Sequence, residues 1–318
     1  MSNIKTIKSG NDLVFPEFDD NKVSTKTVIA ITNLQLNIQN VFDNLPVTVC
    51  NLSDKKKGRK KYIENCNNVS VIKDGSIITL KLEDKLKGVD LKKKTKSTSR
   101  KKVGKFFRNS VTVVMVMDGK GVNFKVSRNG KFQMTGCKSD EQAEKCMKYF
   151  WSYIKDKKDI VYNFSDPFCS QIEITFIPAM RNIDFDLGFL VDREKLSKYI
   201  NVMTKYYSML ESSFGYTGCN VKFPIKDDIV CLDVTKIKNK LDSDEWVYGE
   251  TPFTDHFEFM TEKERNKKLQ KRRYNTFLIF HSGRVLMSGL TADFMRDTYY
   301  EFLDIIRKCY DEILEKLE

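Results

Sequence analysis

"FHSGRVLMSGLTAD" (Phe280–Asp293) and "SRNGKFQMTGCKSD" (Ser127–Asp140) lie 153 positions apart and carry the same succession of strand, turn, strand and helix start. In register, Phe277 matches Phe124, Gly283 matches Gly130, Arg284 matches Lys131, Met287 matches Met134, Ser288 matches Thr135, Gly289 matches Gly136 and Asp293 matches Asp140. Self-similarity at a fixed offset across strands and turns is the mark of a duplicated unit. Asn129-Gly130 and Ser282-Gly283, each between alternating segments, read as two-residue hairpin turns.

The repeat extends outward from these hairpins. After the first, Ser139 and Gln142 form a capping box, and Ala143, Cys146, Met147, Phe150, Trp151 and Ile154 recur at helical spacing. After the second, Thr291 caps a long helix whose apolar face holds Met295, Tyr299, Phe302, Leu303, Ile306, Cys309, Ile313 and Leu317. Upstream, Thr27–Leu45 aligns without gaps to Asn182–Ile200, a strand followed by a helix. In the second copy Asp192 caps, and Leu196, Tyr199, Ile200, Met203, Tyr207 and Leu210 are expected to supply the buried face. Each copy has one more strand between, Ser110–Asp118 and Tyr216–Ile225, and "KDKKDIVYNFSDPF" reads as the linker between copies. Antiparallel strands with one apolar face and two helices to cover it give an α+β layer architecture, and the opposite face stays open to a partner.

The 318 residues divide into an N-terminal tail (1–22), a first repeat (23–160) with an insertion at about 50–109, and a second repeat (161–318) with an insertion at about 226–273. The net charge of +12 is unevenly spread. Runs at Lys55–Lys61, Lys92–Arg108 and Lys263–Arg273 hold six, nine and seven of the 55 Lys and Arg, but only one of the 43 acidic residues. A single such run reads as a solvated loop; three, with aromatics inside the second, raise a polyanion as partner. Eight cysteines at irregular spacings with no C-x-x-C pair, and only two histidines, argue against a zinc site or a disulfide framework. The chain has no P-loop and no nucleophile–base motif, so a non-enzymatic protein with no cofactor is expected. Its apolar runs are strand-length, and no stretch near the N-terminus reads as a signal peptide, so no membrane partner is expected and an intracellular location is.

The duplicated unit, ending in "F-x-S-G-[KR]-x-x-x-[ST]-G", resembles the core of the TATA-box-binding protein family. "FHSGRVLMSG" fits that pattern; "SRNGKFQMTG" keeps its Gly, Lys, Thr and closing Gly but lacks the leading phenylalanine. The basic insertions, "PAMRNIDFDLGF" and "GYTGCNVKFPI" resemble the divergent members encoded by nucleocytoplasmic large DNA viruses. The resemblance covers Thr25 to Leu317 outside the insertions. It implies two pseudo-symmetric repeats forming one curved antiparallel sheet, a saddle, with helices on the convex face, and a viral transcription-initiation factor that binds and bends promoter DNA through the minor groove. Such a factor would work in the host cytoplasm, in a viral factory, or in the nucleus, and would be found in the virion if packaged.

Carried over residue by residue, the resemblance makes Phe280 a wedge between bases, with Tyr216 or Phe214 as its partner. Asn182 and Ser288 fall on polar groove contacts, Leu278 and Leu286 on the apolar floor, and Lys222 and Arg284 near phosphates. Glu211 takes the place of an acidic tip for a factor-IIB-like partner, or is simply solvated. The first repeat departs from the pattern: Ser127 replaces the wedge, Ser110 its partner, Lys125 and Gln133 the floor, and Thr27 the asparagine, while Thr135 and Lys131 match. Phe106 and Phe107, in the basic arm, either wedge instead or pack a loop against the sheet. Alternation also places Asp184 and Asp186 on the face of Asn182, where carboxylates repel a polyanion unless Lys125, Lys131 or Lys222 neutralises them. The alternative is a scaffold on the same fold that does not bind DNA and recruits RNA polymerase or another transcription factor.

Overall fold

A computed structural model describes residues 9–49, 51–53, 62–64, 72–89, 108–211, 218–225, 232–257 and 260–315. In chain order the elements begin with β1 (Val23–Thr32), β2 (Leu34–Leu36), α1 (Ile38–Asn44), β3 (Asn51–Ser53), β4 (Tyr62–Glu64), β5 (Ile77–Leu82) and β6 (Lys85–Gly88). Then come β7 (Ser110–Met117), β8 (Lys120–Ser127), β9 (Lys131–Cys137), α2 (Asp140–Ile154), β10 (Tyr162–Phe164), β11 (Gln171–Asp186) and α3 (Arg193–Met203). The rest are β12 (Tyr207–Glu211), β13 (Gly218–Pro224), β14 (Asp233–Lys240), β15 (Trp246–Pro252), α4 (Glu262–Leu269), β16 (Tyr274–Phe280), β17 (Arg284–Gly289) and α5 (Ala292–Ile313). This is an α+β protein built from antiparallel strands, with the duplicated strand–helix–strands–helix order the sequence implies.

The chain folds as two compact units. One comprises residues 26–177 and 233–253, the other residues 1–25, 178–232 and 254–318. The unit boundary thus falls at 177/178 rather than 160/161. In addition, the hairpin β14–β15, from the second repeat's insertion, belongs with the first repeat. There β14 pairs with the start of β11, Ile174 opposite Ile237. Glu173 bridges Lys236 at 2.6 Å and Lys238 at 2.8 Å. The indole of Trp151 donates to Asn239 at 2.8 Å, tying α2 to the same hairpin.

In the first repeat the strands follow the order β1-β9-β8-β7-β5-β6. Alternation along β8 and β9 buries Phe124, Val126, Phe132 and Met134 against Cys146, Phe150 and Trp151 of α2 and Val41 and Phe42 of α1. The run "VTVVMVM" in β7 is apolar on both sides. Its odd-numbered residues join that core, and Val114 and Val116 form a second small cluster with Ile78, Ile72 and Val89 on the other face. The "linker" is not a loose one: β10 pairs with β2, and Tyr162 and Phe164 are part of the core.

In the second repeat the order is β12-β13-β16-β17-β11. Phe277, Phe223 and Phe185 pack against Phe302 and Tyr299 of α5, with the Phe277 and Phe302 rings stacked at 4.0 Å. Aligned positions cap the first helix of each copy: Asn37 accepts from the Asn40 amide, and Asp192 from the Glu194 and Lys195 amides. The later helices are capped by Ser139 and Thr291 as expected, but the Gln142 side chain accepts from the Lys138 amide, one residue beyond a capping box. Both hairpin turns have three residues, not two. Gly130 and Gly283 donate to Ser127 and Phe280 and adopt φ of 66° and 81°, the left-handed position that glycine takes at no steric cost. α3 ends at Met203, so Tyr207 and Leu210 belong to β12 and are exposed, as is Met203.

Residues 9–22 are no free tail. Phe18 is fully buried and meets Tyr299 edge-on at 5.5 Å. The Tyr299 hydroxyl donates to Pro16 at 2.7 Å, and Arg296 forks onto both oxygens of Asp19. Gly10 sits so close to α5 that a Cβ there would lie 1.9 Å from the Arg307 carbonyl oxygen.

Candidate nucleic-acid interface

The second repeat buries one sheet face under α3 and α5, and its other face carries three cross-strand rows. In the first, Asn182 stands opposite Ser288, Ser288 opposite Thr276, Thr276 opposite Lys222 and Lys222 opposite Tyr207. Asp184, Leu286, Leu278, Asn220 and Met209 make the second row in the same strand order. In the third, Asp186 faces Arg284, and Phe280 faces Gly218. With strands about 4.8 Å apart, five strands span roughly 19 Å.

The apolar centre is formed by Leu286 and Leu278, adjacent across β17 and β16, with Phe280 two residues further along β16. Leu278 lies over Gly218, where a Cβ would come within 2.5 Å of its Cδ1. Phe280 thus has no bulky cross-strand neighbour on β13. Asn182 is half-buried on this face, and its side chain makes no hydrogen bond among the described residues, leaving a buried Oδ1 without a partner. Its main-chain carbonyl accepts from Ser24.

The first repeat arranges its equivalents in the same rows. Thr27, Thr135, Asn123 and Val114 form the first, and Ile29, Gln133, Lys125 and Thr112 the second. In the third, Ile31 faces Lys131, and Ser127 faces Ser110. Here Lys125 and Gln133 take the places of Leu278 and Leu286, and Ser127 that of Phe280. The outer end of this face is closed by the apolar cluster of Val114, Val116 and Ile78 with Ile72 and Val89.

Cross-strand pairing changes one correspondence. The counterpart of Ser110 is Gly218, two residues past Tyr216. Tyr216, Phe214, Phe106 and Phe107 lie outside the described residues; Glu211 closes β12 opposite Gly218. Lys222 cannot neutralise Asp184. Three strand spacings, roughly 14 Å, separate β13 from β11. Asp184 has no ion-pair partner among the described residues, and Asp186 accepts from the Gly188 amide at 2.8 Å. Thr276 and Asn123 complete the polar rows without belonging to any motif; the alternation in "YNTFLIF", two residues back from Leu278, is the sequence signal for Thr276.

No family model matches the chain. It is 33% identical over 136 residues to a TATA-box-binding protein-like protein of Acanthamoeba polyphaga mimivirus, covering 38% of this chain and 35% of that one. Over that stretch the chain resembles a TATA-box-binding protein-like protein of a giant virus. It is also 26% identical over 220 residues to an uncharacterized protein, 335L, of Invertebrate iridescent virus 6, covering 66% of this chain and 63% of the relative. The matches therefore span less than two thirds of the length of either relative. Among solved structures, the TBP of Methanococcus jannaschii is similar with a TM-score of 0.45 and 14% identity, over 92% of this chain and 99% of that one.

The chain groups no three His, Cys, Asp or Glu residues for a metal among the described residues, and no described helix is long and apolar enough to cross a membrane. Cys146 and Cys309 are deeply buried, and burial drives their thiols well up from the ordinary value, to about 12 for Cys309. They serve the core as small apolar groups.

Proposed function

We propose that the protein is a non-enzymatic transcription-initiation factor of a large DNA virus, acting inside the host cell, that binds double-stranded promoter DNA through its minor groove. The second repeat bends the duplex. One observation carries this reading: Asn182, Ser288 and Thr276 stand in a row beside the apolar pair Leu286 and Leu278, with Phe280 projecting from the same face. A·T pairs offer only acceptors in the minor groove, which suit the Asn182 amide and the two hydroxyls; leucines suit the groove walls, and an aromatic ring can enter a base step. Arg284 and Lys222 flank these rows for phosphates. The first repeat offers Lys125, Lys131, Gln133, Thr27 and Thr135, residues suited to polar and phosphate contacts but without a wedge. Bending and affinity measured on A·T-rich and G·C-rich duplexes across salt test the proposal. A bend on A·T-rich DNA with salt-dependent affinity supports it, and no binding at low salt overturns it.

The exposed carboxylates of Asp184 and Asp186 favour a second reading, a scaffold that recruits RNA polymerase or a factor-IIB-like protein, with Glu211 at the edge of the second repeat as part of the contact. Asp184→Asn separates the two. Tighter duplex binding by the variant places the DNA on this face; unchanged affinity favours the scaffold.

A further inference from the structure

A cleft of about 680 Å³ opens at the edge of the second repeat, where β12, β13 and the start of β16 meet. Lys205, Lys222, Arg272 and Arg273 line it together with Tyr206, Tyr207 and Tyr274, with no acidic residue in the lining among the described residues. Four cations beside three aromatic rings in one concave site are the chemistry of a phosphodiester chain with unstacked bases.

The register shows how the parts are held. Tyr207 stands directly opposite Lys222, and Tyr274 opposite Pro224, two residues along the same face of β13. Two tyrosines thus flank one lysine. Tyr207 is 62% exposed and Tyr274 39%, enough ring surface for a base to stack on. Tyr206 is buried against Phe223, its ring centroid 3.9 Å away, and forms the rigid wall. Lys205 already pairs with Glu301 at 3.4 Å, whereas Lys222 and Arg272 have no ion-pair partner among the described residues. The arginines end the third basic run of the sequence, which delivers them to this edge through α4.

We infer that this cleft binds single-stranded nucleic acid, with Arg272, Arg273 and Lys222 on phosphates and Tyr207 and Tyr274 stacking on bases. A duplex keeps its bases paired and stacked, and offers the tyrosines no face. The inference goes beyond duplex binding by the open sheet face, and uses side chains outside the apolar rows.

The test uses the full chain with three fluorescent probes: a twelve-residue oligodeoxythymidine, an oligouridine of equal length, and an A·T-rich duplex. Arg272→Ala/Arg273→Ala should weaken oligodeoxythymidine binding about tenfold or more, and Tyr274→Ala by about tenfold through lost stacking, with Tyr274→Phe restoring it. Duplex bending should be unchanged in all three variants. The oligouridine arm tells whether the strand is DNA or RNA, equal binding meaning that the sugar is not read. Single-strand binding unaffected by the variants overturns the inference, as does an equal loss on duplex and single strand, which would make the cleft an extension of the duplex face. Failure of the duplex proposal looks different: no duplex bending by the unaltered chain while single-strand binding persists.

Discussion

Phe280 and Ser127 occupy the same place, the last residue of a hairpin strand on the open face, each opposite the first residue of a neighbouring strand. Only the phenylalanine can enter a base step and offset the few kcal/mol that unstacking costs. Phe280→Ala should therefore remove most of the DNA bend and weaken binding at least tenfold, while Ser127→Ala changes neither; fluorescence energy transfer across an end-labelled A·T-rich duplex reads both. Equal effects from the two would sink the asymmetric bend. Asn182→Ala should reduce discrimination between A·T-rich and G·C-rich duplexes rather than the bend, since its uncommitted amide supplies readout and no wedge. Glu173 gives a residue-scale prediction that involves no DNA. Burial pushes its carboxyl up, but hydrogen bonds and charge from Lys236 and Lys238 outweigh this and hold it below the ordinary value. A carboxylate with a lowered folded value contributes stability above its unfolded value and loses it as pH falls through the folded one. The unaltered protein should thus lose melting temperature between about pH 5 and 3, by a few degrees more than Glu173→Gln. The difference is small because solvent screens partly exposed pairs.

At the scale of elements, the strap of residues 9–22 is the piece on which the second repeat's stability most visibly depends. Phe18 is fully buried between this segment and α5, so Phe18→Ala should cost about 3–5 kcal/mol in urea unfolding, whereas the exposed Val14→Ala costs almost nothing. Equal and small effects would mean that the strap is not docked in solution. Nothing in "NDLVFPEFDD" announces this partner, because its apolar residues lack both strand and helix periodicity and the surface they meet lies 283 positions away at the Pro16–Tyr299 contact. The hairpins, caps and helix stripes were legible for the opposite reason: Gly130, Gly283, Asp192 and the spacing of Met295, Tyr299, Phe302 and Ile306 are local signals read within a few residues. Where a boundary rested on a distant contact, periodicity misled. Tyr207 and Leu210 continue the α3 stripe in sequence but sit on β12, since Thr204 closes the helix and pairing with β13 takes over. The same holds for the site. The rows could be read from alternation, but that Gly218 faces Phe280 required the pairing of β13 with β16.

For the molecule as a whole, the separation of charge frames the question that matters most. Outside the three basic runs the chain has fewer Lys and Arg than Asp and Glu, and Asp184 and Asp186 bring that acidity onto the open face itself. Attraction to DNA must then come from the runs, with the face supplying shape and readout. Counterion release makes this measurable, because each phosphate neutralised contributes about −0.9 to the slope of log K against log salt. Deleting Lys92–Lys105 removes eight basic residues and leaves the described rows of both repeats in place. If the run neutralises phosphates, the deletion should flatten the slope by several units and weaken binding alike on A·T-rich and G·C-rich duplexes. The bend, made at Phe280, should survive wherever the complex is still populated. A slope unchanged by the deletion would assign the arm no part in DNA binding and throw the electrostatic burden onto Arg284, Lys125, Lys131 and Lys222, where Arg284→Ala and Lys131→Ala should then each lower the slope by about one.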